Sequence, residues 1–239
     1  VLTASDSAKV AYLILYQPEL TTSEFESVVN SVPAGRFKGL AQIELARYYL
    51  QNNNVTAAAQ IIQAASAQVA GDKNLTSDIN FLRAHLLVKQ GKLSELSKLL
   101  PTLTNNPANS NQKLYYQAVV AEKNNPQQAR AFYRQIPQAL IYNEDAVLAA
   151  ANFFSRVQKN DNQAYDLLLS SIKYNPFSPR LYQAYIFSSI KLGFIDFAQT
   201  AAAELKNLLS PAEYATFQTA YEQKLKEKQA AFPGWDETN

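Results

Sequence analysis

Cysteine is absent from this chain of 239 residues, which excludes disulfides, a thiolate nucleophile and a zinc–thiolate site. Glycine is scarce, with 6 residues in the whole chain, and such scarcity favours helices over turn-rich structure. Long apolar runs are missing as well. The longest one near the N-terminus covers residues 10–16, far below the ~20 residues that a transmembrane helix needs. The sequence therefore indicates a helical chain without cross-links or a membrane span.

An excess of charge of one sign is also lacking. The chain has 22 Lys and Arg against 20 Asp and Glu, and a net charge of +2 does not by itself favour a nucleic acid or an anionic membrane. No Gly-rich phosphate loop, G-x-S-x-G or H-E-x-x-H motif occurs. The single histidine, His85, lies in an apolar helical segment, and Asp78 is a poor companion for it in metal binding. We therefore expect no enzyme activity, no cofactor and no metal site.

Methionine is absent, and the sequence begins at Val1. We therefore expect that an upstream segment has been removed, and a signal or a membrane anchor would fit that place. A high content of Asn and Gln with modest charge suits an exported protein. These features lead us to expect the bacterial periplasm or cell envelope, with the cytoplasm as the alternative.

What the sequence does contain is a regular series of amphipathic segments. Apolar residues recur at positions i, i+3, i+4 and i+7, a period that predicts α-helices. The first helix of each pair is predicted at residues 7–16, 36–51, 77–90, 112–122, 144–158 and 180–192. The second helix of each pair is predicted at residues 23–32, 56–70, 93–100, 127–136, 162–174 and 195–209. Asn or Gly occupies most of the short breaks between paired helices, so each pair is predicted to form an antiparallel hairpin.

Hydroxyl residues and prolines mark where several helices begin and end. Ser178-Pro179 and Ser210-Pro211 each offer an N-cap followed by proline at the first helical position, and Glu213 completes a capping box with Ser210. Proline also removes a backbone donor and clashes with the preceding turn of a helix. On that ground three prolines are predicted to end the helices before them: Pro101, Pro137 and Pro176.

A period of 34 residues relates the last two hairpins. Ala164 and Ala198 are 34 residues apart and occupy corresponding places in their second helices. Gly193 provides a tight turn between paired helices, and Pro176 follows the end of a second helix. Hairpins of this length cannot bury their own apolar faces and must stack on their neighbours.

On these residues the chain resembles tetratricopeptide-repeat proteins over residues 36–209, and most closely over residues 144–209. Ala164 and Ala198 match the family's small residue where the two helices of a hairpin touch, and Pro176 matches its terminating proline. Steps of 38, 33 and 35 residues lead to Ala164 from the corresponding positions of earlier hairpins, which are Ala58, Leu96 and Ala129.

The resemblance implies an all-α fold, a right-handed α-solenoid of about six helical hairpins with a C-terminal capping helix at residues 211–230. We expect residues 1–230 to form a single domain, within which the polar stretch 104–112 is an elongated loop. The second half of the last helix is charged on nearly all sides, as a terminal element of a solenoid needs. Residues 231–239 contain the single tryptophan, Trp235, and are expected to form a flexible tail.

The resemblance also implies a binding face, because in that family the first helices line a concave groove. A basic and aromatic lining suits an acidic or C-terminal peptide. We therefore expect a non-catalytic protein–protein interaction scaffold whose partner is a protein or peptide. The residues that the predicted register places in the groove are Arg47, His85, Lys89, Phe153, Arg156, Phe187 and Lys191. For the two phenylalanines the alternative is a place in the packing between hairpins.

Two other functions are compatible with the sequence. One is a structural subunit of a bacterial envelope complex that uses its convex face or its ends. The other is an RNA-binding helical repeat, which would need a regular pair of base-reading residues in each hairpin and a basic groove. Neither feature is apparent, so no nucleic-acid partner is expected.

Overall fold

The fold is described by a computed structural model over residues 3–104, 109 and 111–231. Across these residues the chain is helical and contains no β-strand, so the predicted all-α fold is confirmed. None of the helices in this part of the chain is both long and apolar enough to cross a membrane. The predicted loop at residues 104–112 lies largely outside the described residues, as does the predicted tail with Trp235.

The chain divides into two compact units, Val1–Asn125 and Pro126–Asn239. The single domain over residues 1–230 stays a prediction, and each unit is described here by itself. Short 3₁₀ turns follow the first and sixth helices of the first unit, at Gln17–Glu19 and Leu100–Thr102.

The described α-helices of the first unit are α1 (Asp6–Tyr16), α2 (Thr22–Asn30), α3 (Arg36–Gln51), α4 (Val55–Gln68), α5 (Lys73–Lys89), α6 (Leu93–Leu99) and α7 (Gln112–Asn124). Those of the second unit are α8 (Pro126–Tyr133), α9 (Ile136–Ala139), α10 (Glu144–Arg156), α11 (Asp161–Ile172), α12 (Pro179–Leu192), α13 (Ile195–Lys206) and α14 (Pro211–Ala231). Each predicted helix has a counterpart among them.

Several helix boundaries differ from the prediction by a few residues, and two of these differences have a local cause in the sequence. Helix α5 begins at Lys73 rather than at residue 77, because the Asp72 side chain caps it by accepting from the backbone N–H groups of Asn74 and Leu75. The helix predicted at residues 127–136 is divided. It ends at Tyr133, and Pro137 lies in the first turn of the short helix α9 instead of following the end of a longer one.

Within each unit the first helix of a hairpin packs on the second helix of that hairpin and on the helix after it. In the first unit α3 contacts α4 and α5, and α5 contacts α6 and α7. In the second unit α10 contacts α11 and α12, and α12 contacts α13 and α14. Each unit is therefore a row of helices in which consecutive hairpins lie side by side.

A left-handed residue recurs in the turn between the two helices of a hairpin. In four places a residue with φ between 55° and 89° directly precedes the N-cap of the second helix, namely Asn53, Gly91, Lys159 and Gly193. In three of these turns the next N–H donates to the carbonyl five residues back, at 2.7 to 2.9 Å, the donors being Asn54, Lys92 and Phe194. Such bonds satisfy carbonyl groups at the end of the first helix.

The fourth residue of each second helix is buried. The positions that the sequence relates to one another all fall at this place, with exposed fractions of 0 to 2 %: Ala58, Leu96, Ala129, Ala164 and Ala198. Phe25 holds the same place in α2 and is also fully buried. The spacing of 33 to 38 residues along the sequence therefore varies with the lengths of both helices and connections, while the position within each second helix is constant.

Helix α14 packs on α12 along a narrow stripe. Its Phe217 is buried, and the Phe217 ring centroid lies 5.9 Å from that of Phe187 on α12. The predicted capping box starts the helix. Glu213 Oε2 accepts from the Ser210 N–H at 2.9 Å, and Ser210 Oγ accepts from the Glu213 N–H at 3.4 Å. Most of the remaining α14 side chains are exposed.

Candidate partner-binding site

The seven predicted partner residues are divided between the two units. Those of the first unit lie on α3 and α5 and are half-buried, namely Arg47, His85 and Lys89. Those of the second unit lie on α10 and α12, namely Phe153, Arg156, Phe187 and Lys191. One groove that contains all seven stays a prediction.

Arg47 forms an ion pair with a buried carboxylate of its own helix. Its guanidinium contacts Glu44, which is 8 % exposed. Burial raises the pKa of the Glu44 carboxyl above its ordinary value; the Arg47 charge opposes this rise and the Asp78 carboxylate adds to it. Part of the Arg47 charge is therefore used to offset the burial of Glu44.

Phe153 belongs to the core, which corrects its predicted place on a binding face. It is 2 % exposed, and its ring centroid lies 4.9 Å from that of the fully buried Tyr133 on α8. The adjacent Phe154 is 1 % exposed. Both neighbours are buried because α10 contacts α8 as well as α11 and α12. Phe187 is half-buried on α12, and α14 covers part of it through Phe217.

Lys191 is exposed and joins three helices at the turn end of the second-unit hairpins. Its Nζ lies 2.6 Å from Asp161 Oδ1 at the start of α11 and donates to Ser155 Oγ, at the end of α10, over 2.9 Å. Ser155 Oγ in turn donates to Asp161 Oδ1 at 2.5 Å. Burial tends to raise the pKa of Asp161, but the hydrogen bonds from Lys191 and Ser155 outweigh it and the pKa is lowered.

Two further cations lie beside this cluster. Arg156 is exposed at the end of α10, next to Ser155, and makes no ion pair with another described residue. Lys159 is exposed in the following turn, and its charge contributes to the low pKa of Asp161. The turn end therefore presents more positive charge than Asp161 neutralises.

Exposed aromatic rings lie at the same end of the second-unit hairpins as these cations. Phe194 and Phe197, at the start of α13, are 41 % and 58 % exposed, and their ring centroids are 6.3 Å apart. Phe194 also lies edge-on to Tyr165, one turn along α11 from Asp161, with centroids 5.1 Å apart. We call this surface the turn-end surface, and define it by Arg156, Lys159, Lys191, Phe194 and Phe197.

The place of Phe194 is unusual for a helix start. Asn54 and Asn160 hold the same N-cap position in α4 and α11, and each accepts a backbone hydrogen bond there, at 3.2 and 3.1 Å. Phe194 makes no such bond at the N-cap of α13. Replacing a capping side chain typically costs about 1 kcal/mol. The sequence thus forgoes a cap and places an aromatic ring at the surface.

Sequence reasoning missed Phe194 and Phe197 because it searched the first helices of the hairpins. A signal was available. Phe194 directly follows the turn residue Gly193, at a place where the three other hairpins with a left-handed turn residue have Asn or Lys. An aromatic residue at an N-cap position, which favours polar side chains, indicates a role other than starting the helix.

A second exposed aromatic group lies on the loops before α10 and α12. Tyr142 and Tyr174 are 71 % and 52 % exposed and pack edge to face, with centroids 5.2 Å apart, while Phe177 is 83 % exposed. The side chain of Asn175 donates to the carbonyls of Ile141 and Ser171 at 2.9 and 3.0 Å, which ties the two loops together. We call Tyr142, Tyr174 and Phe177 the loop aromatic patch.

An ion-pair network holds the helix starts beside this patch. Arg180 on α12 contacts both Glu144 and Asp145 on α10, the latter at 2.9 Å, and Ser178 also contacts Glu144. Burial lowers the pKa of Arg180, but the two carboxylates outweigh it and raise the pKa overall. The patch is therefore carried by loops that are fixed to the helices.

No protein family model matches this chain, and a search of curated proteins finds no significant match.

Proposed function

We propose that the chain is a non-catalytic protein-interaction scaffold that binds a peptide segment of a partner protein. Its architecture in this proposal is a tetratricopeptide-like, right-handed solenoid of about six hairpins with α14 as the cap. The recurring left-handed turn and the buried fourth residue of each second helix support a repeated hairpin unit.

The observation that carries the proposal is the turn-end surface. Exposed aromatic rings are costly to keep in water, and each contributes strongly when a partner covers it. Here Phe194 and Phe197 lie at the same end of the hairpins as Arg156, which is exposed and makes no ion pair with another described residue. Aromatic and arginine side chains are the types that most often dominate interface energetics.

The chemistry of this surface favours an acidic peptide that also carries an apolar side chain. A guanidinium binds carboxylate with two parallel hydrogen bonds, and Lys159 and Lys191 add positive charge without that geometry. Phe194 and Phe197 would contact an aromatic or large aliphatic side chain of the same peptide. The partner class is therefore a segment in which Asp or Glu adjoins Phe, Trp or Leu.

Selection from a random peptide library on the immobilised full chain tests the proposal. We expect enrichment of peptides that combine acidic and large apolar residues. Their affinity should fall at least about tenfold for Arg156→Glu combined with Phe197→Ser, since each anchor contributes roughly 1–2 kcal/mol or more. Lys173→Glu, the same charge reversal at an exposed lysine on the far end of α11, serves as the control and should leave affinity unchanged. Equal affinity for the double variant would refute the proposed site.

A structural subunit of an assembly is the second candidate, and the loop aromatic patch favours it. Tyr142 and Phe177 are the two most exposed aromatic side chains of the described residues, and they lie on loops rather than on the predicted groove. If selected peptides lose binding to Tyr142→Ser with Phe177→Ser but not to the turn-end variant, recognition belongs to this patch.

A further inference from the structure

The last described helix ends beside the turn-end surface. Lys228, three residues before the end of α14, donates from Nζ to the carbonyl oxygen of Lys191 at 2.8 Å. A Cβ added at Gly193 would lie 3.8 Å from Lys228 Cε. Phe194 directly follows Gly193. The last turn of α14 therefore lies near Lys191 and Gly193, at the turn end of the second-unit hairpins.

The segment that follows has the chemistry which this surface fits. Residues 232–239 contain two aromatic side chains, Phe232 and Trp235, and two adjacent carboxylates, Asp236 and Glu237, with no Lys or Arg. This is the combination of acidic and aromatic side chains that the turn-end surface is proposed to recognise. The segment is therefore complementary to the turn-end surface both in charge and in apolar character.

The distance along the chain also suffices. Trp235 is four steps along the chain from Ala231, and an extended chain of that length spans at most about 14 Å. A tethered ligand this close has an effective concentration in the millimolar range, so that even a weak peptide would occupy the surface.

We propose that residues 232–239 are an intramolecular ligand of the turn-end surface, with Trp235 on Phe194 and Phe197 and the Asp236–Glu237 pair facing Arg156 and Lys159. This inference rests on the proposed function of that surface. Its consequence is competition: the segment has to leave before the acidic peptide of a partner binds.

The acids near the surface set a limit on this attraction. Asp161 is engaged by Lys191 and Ser155, and Asp196 lies exposed in the first turn of α13. The cations Arg156, Lys159, Lys191 and Lys228 outnumber these two carboxylates. Attraction to the segment should therefore weaken as salt screens the charges.

Trp235 is the only tryptophan of the chain, so fluorescence excited at a wavelength that tyrosine does not absorb reports on this segment alone. We expect blue-shifted Trp235 emission that is protected from acrylamide. Arg156→Glu with Phe197→Ser should shift the emission to that of a solvated indole and remove the protection. Asp236→Lys with Glu237→Lys, which changes no described residue, should do the same. Lys173→Glu is the matched control and should leave emission and quenching as in the wild type.

Emission of a solvated indole in the wild type would overturn the inference, and so would protected emission that neither double variant alters. In both cases selected peptides that still bind the turn-end surface would leave the proposed function standing. Conversely, the wild-type chain could select no external peptide and still show protected Trp235 emission. If both double variants remove that protection, the inference is upheld. If the Trp235→Ser variant then also selects no peptide, the proposed function fails while the inference about residues 232–239 stands.

Discussion

At the scale of single residues, the hairpin turns show how a side chain and a backbone angle constrain each other. Gly193 and Lys159 hold corresponding places, with φ of 89° and 55°. Glycine adopts this left-handed region freely, whereas a Cβ at such a position costs roughly 1–2 kcal/mol. The turn before α11 therefore stores a penalty that the turn before α13 avoids.

Gly193→Ala should lower the free energy of unfolding by about 1 kcal/mol for this reason. Space is not the cause, since the nearest atom to an added Cβ is Lys228 Cε at 3.8 Å. Urea denaturation measures the change. Lys159→Gly is the matched control, for which stability should stay the same or rise. An alanine variant as stable as the wild type would show that this backbone angle carries no cost.

A second residue-scale prediction concerns Asp161. Its pKa is lowered in the folded chain, so its contribution to stability is present above the unfolded pKa and is lost as pH falls through the folded value. Asp161→Asn should therefore lower Tm at pH 7 and have no effect well below pH 3.8. The loss should stay below about 1 kcal/mol, because the partner Lys191 is exposed. Thermal melts at both pH values check this, and a pH-independent difference would contradict it.

At the scale of elements, the helices and their caps follow from local sequence, whereas the covered faces do not. The apolar period is contained in the segment itself, and from it α3 was predicted with both of its bounds although its N-cap, Gly35, offers no side chain. Burial of Phe153 depends on α8, and cover of Phe187 depends on α14. The sequences of α10 and α12 do not show which other helices will cover them. Each of these helices has two apolar sides, and its own sequence does not indicate which side stays exposed.

The close approach of α3 to the end of α4 depends on a missing side chain. A Cβ at Gly39 would overlap Val69 Cγ1. Gly39→Ala should therefore destabilise the chain by about 1–3 kcal/mol through overpacking. A double-mutant cycle measured by urea denaturation tests this. When Val69 is also replaced by Ala, Gly39→Ala should lose only a small part of the stability that it loses in the wild-type background. Absence of coupling between the two positions would contradict the contact.

The attachment of α14 to α12 rests mainly on one side chain. Phe217 is 5 % exposed, and its ring packs against Phe187. Phe217→Ala should cost roughly 3 kcal/mol, and deletion of residues 210–239 should lower solubility as well because the apolar face of α12 is uncovered. The exposed neighbour Thr216→Ala serves as the control. A truncated chain with unchanged Tm and no aggregation would show that α14 is not a cap.

At the scale of the whole molecule, the exposed aromatic side chains are unevenly distributed. Among the described residues the second unit exposes Tyr142, Tyr174, Phe177, Phe194 and Phe197, while the first exposes Tyr16 and Phe37. The sequence predicted a groove with residues from both units. The exposed aromatic side chains instead lie mostly in the second unit, at both ends of its hairpins.

The most direct measurement is the change in backbone amide chemical shifts of the full chain on addition of a selected acidic, aromatic peptide. The account predicts that the perturbed amides cluster at residues 155–161 and 191–197. It also predicts that Arg156→Glu with Phe197→Ser abolishes the changes. Shifts confined to the loops around Tyr142 and Phe177, or to α3 and α5 of the first unit, would contradict it.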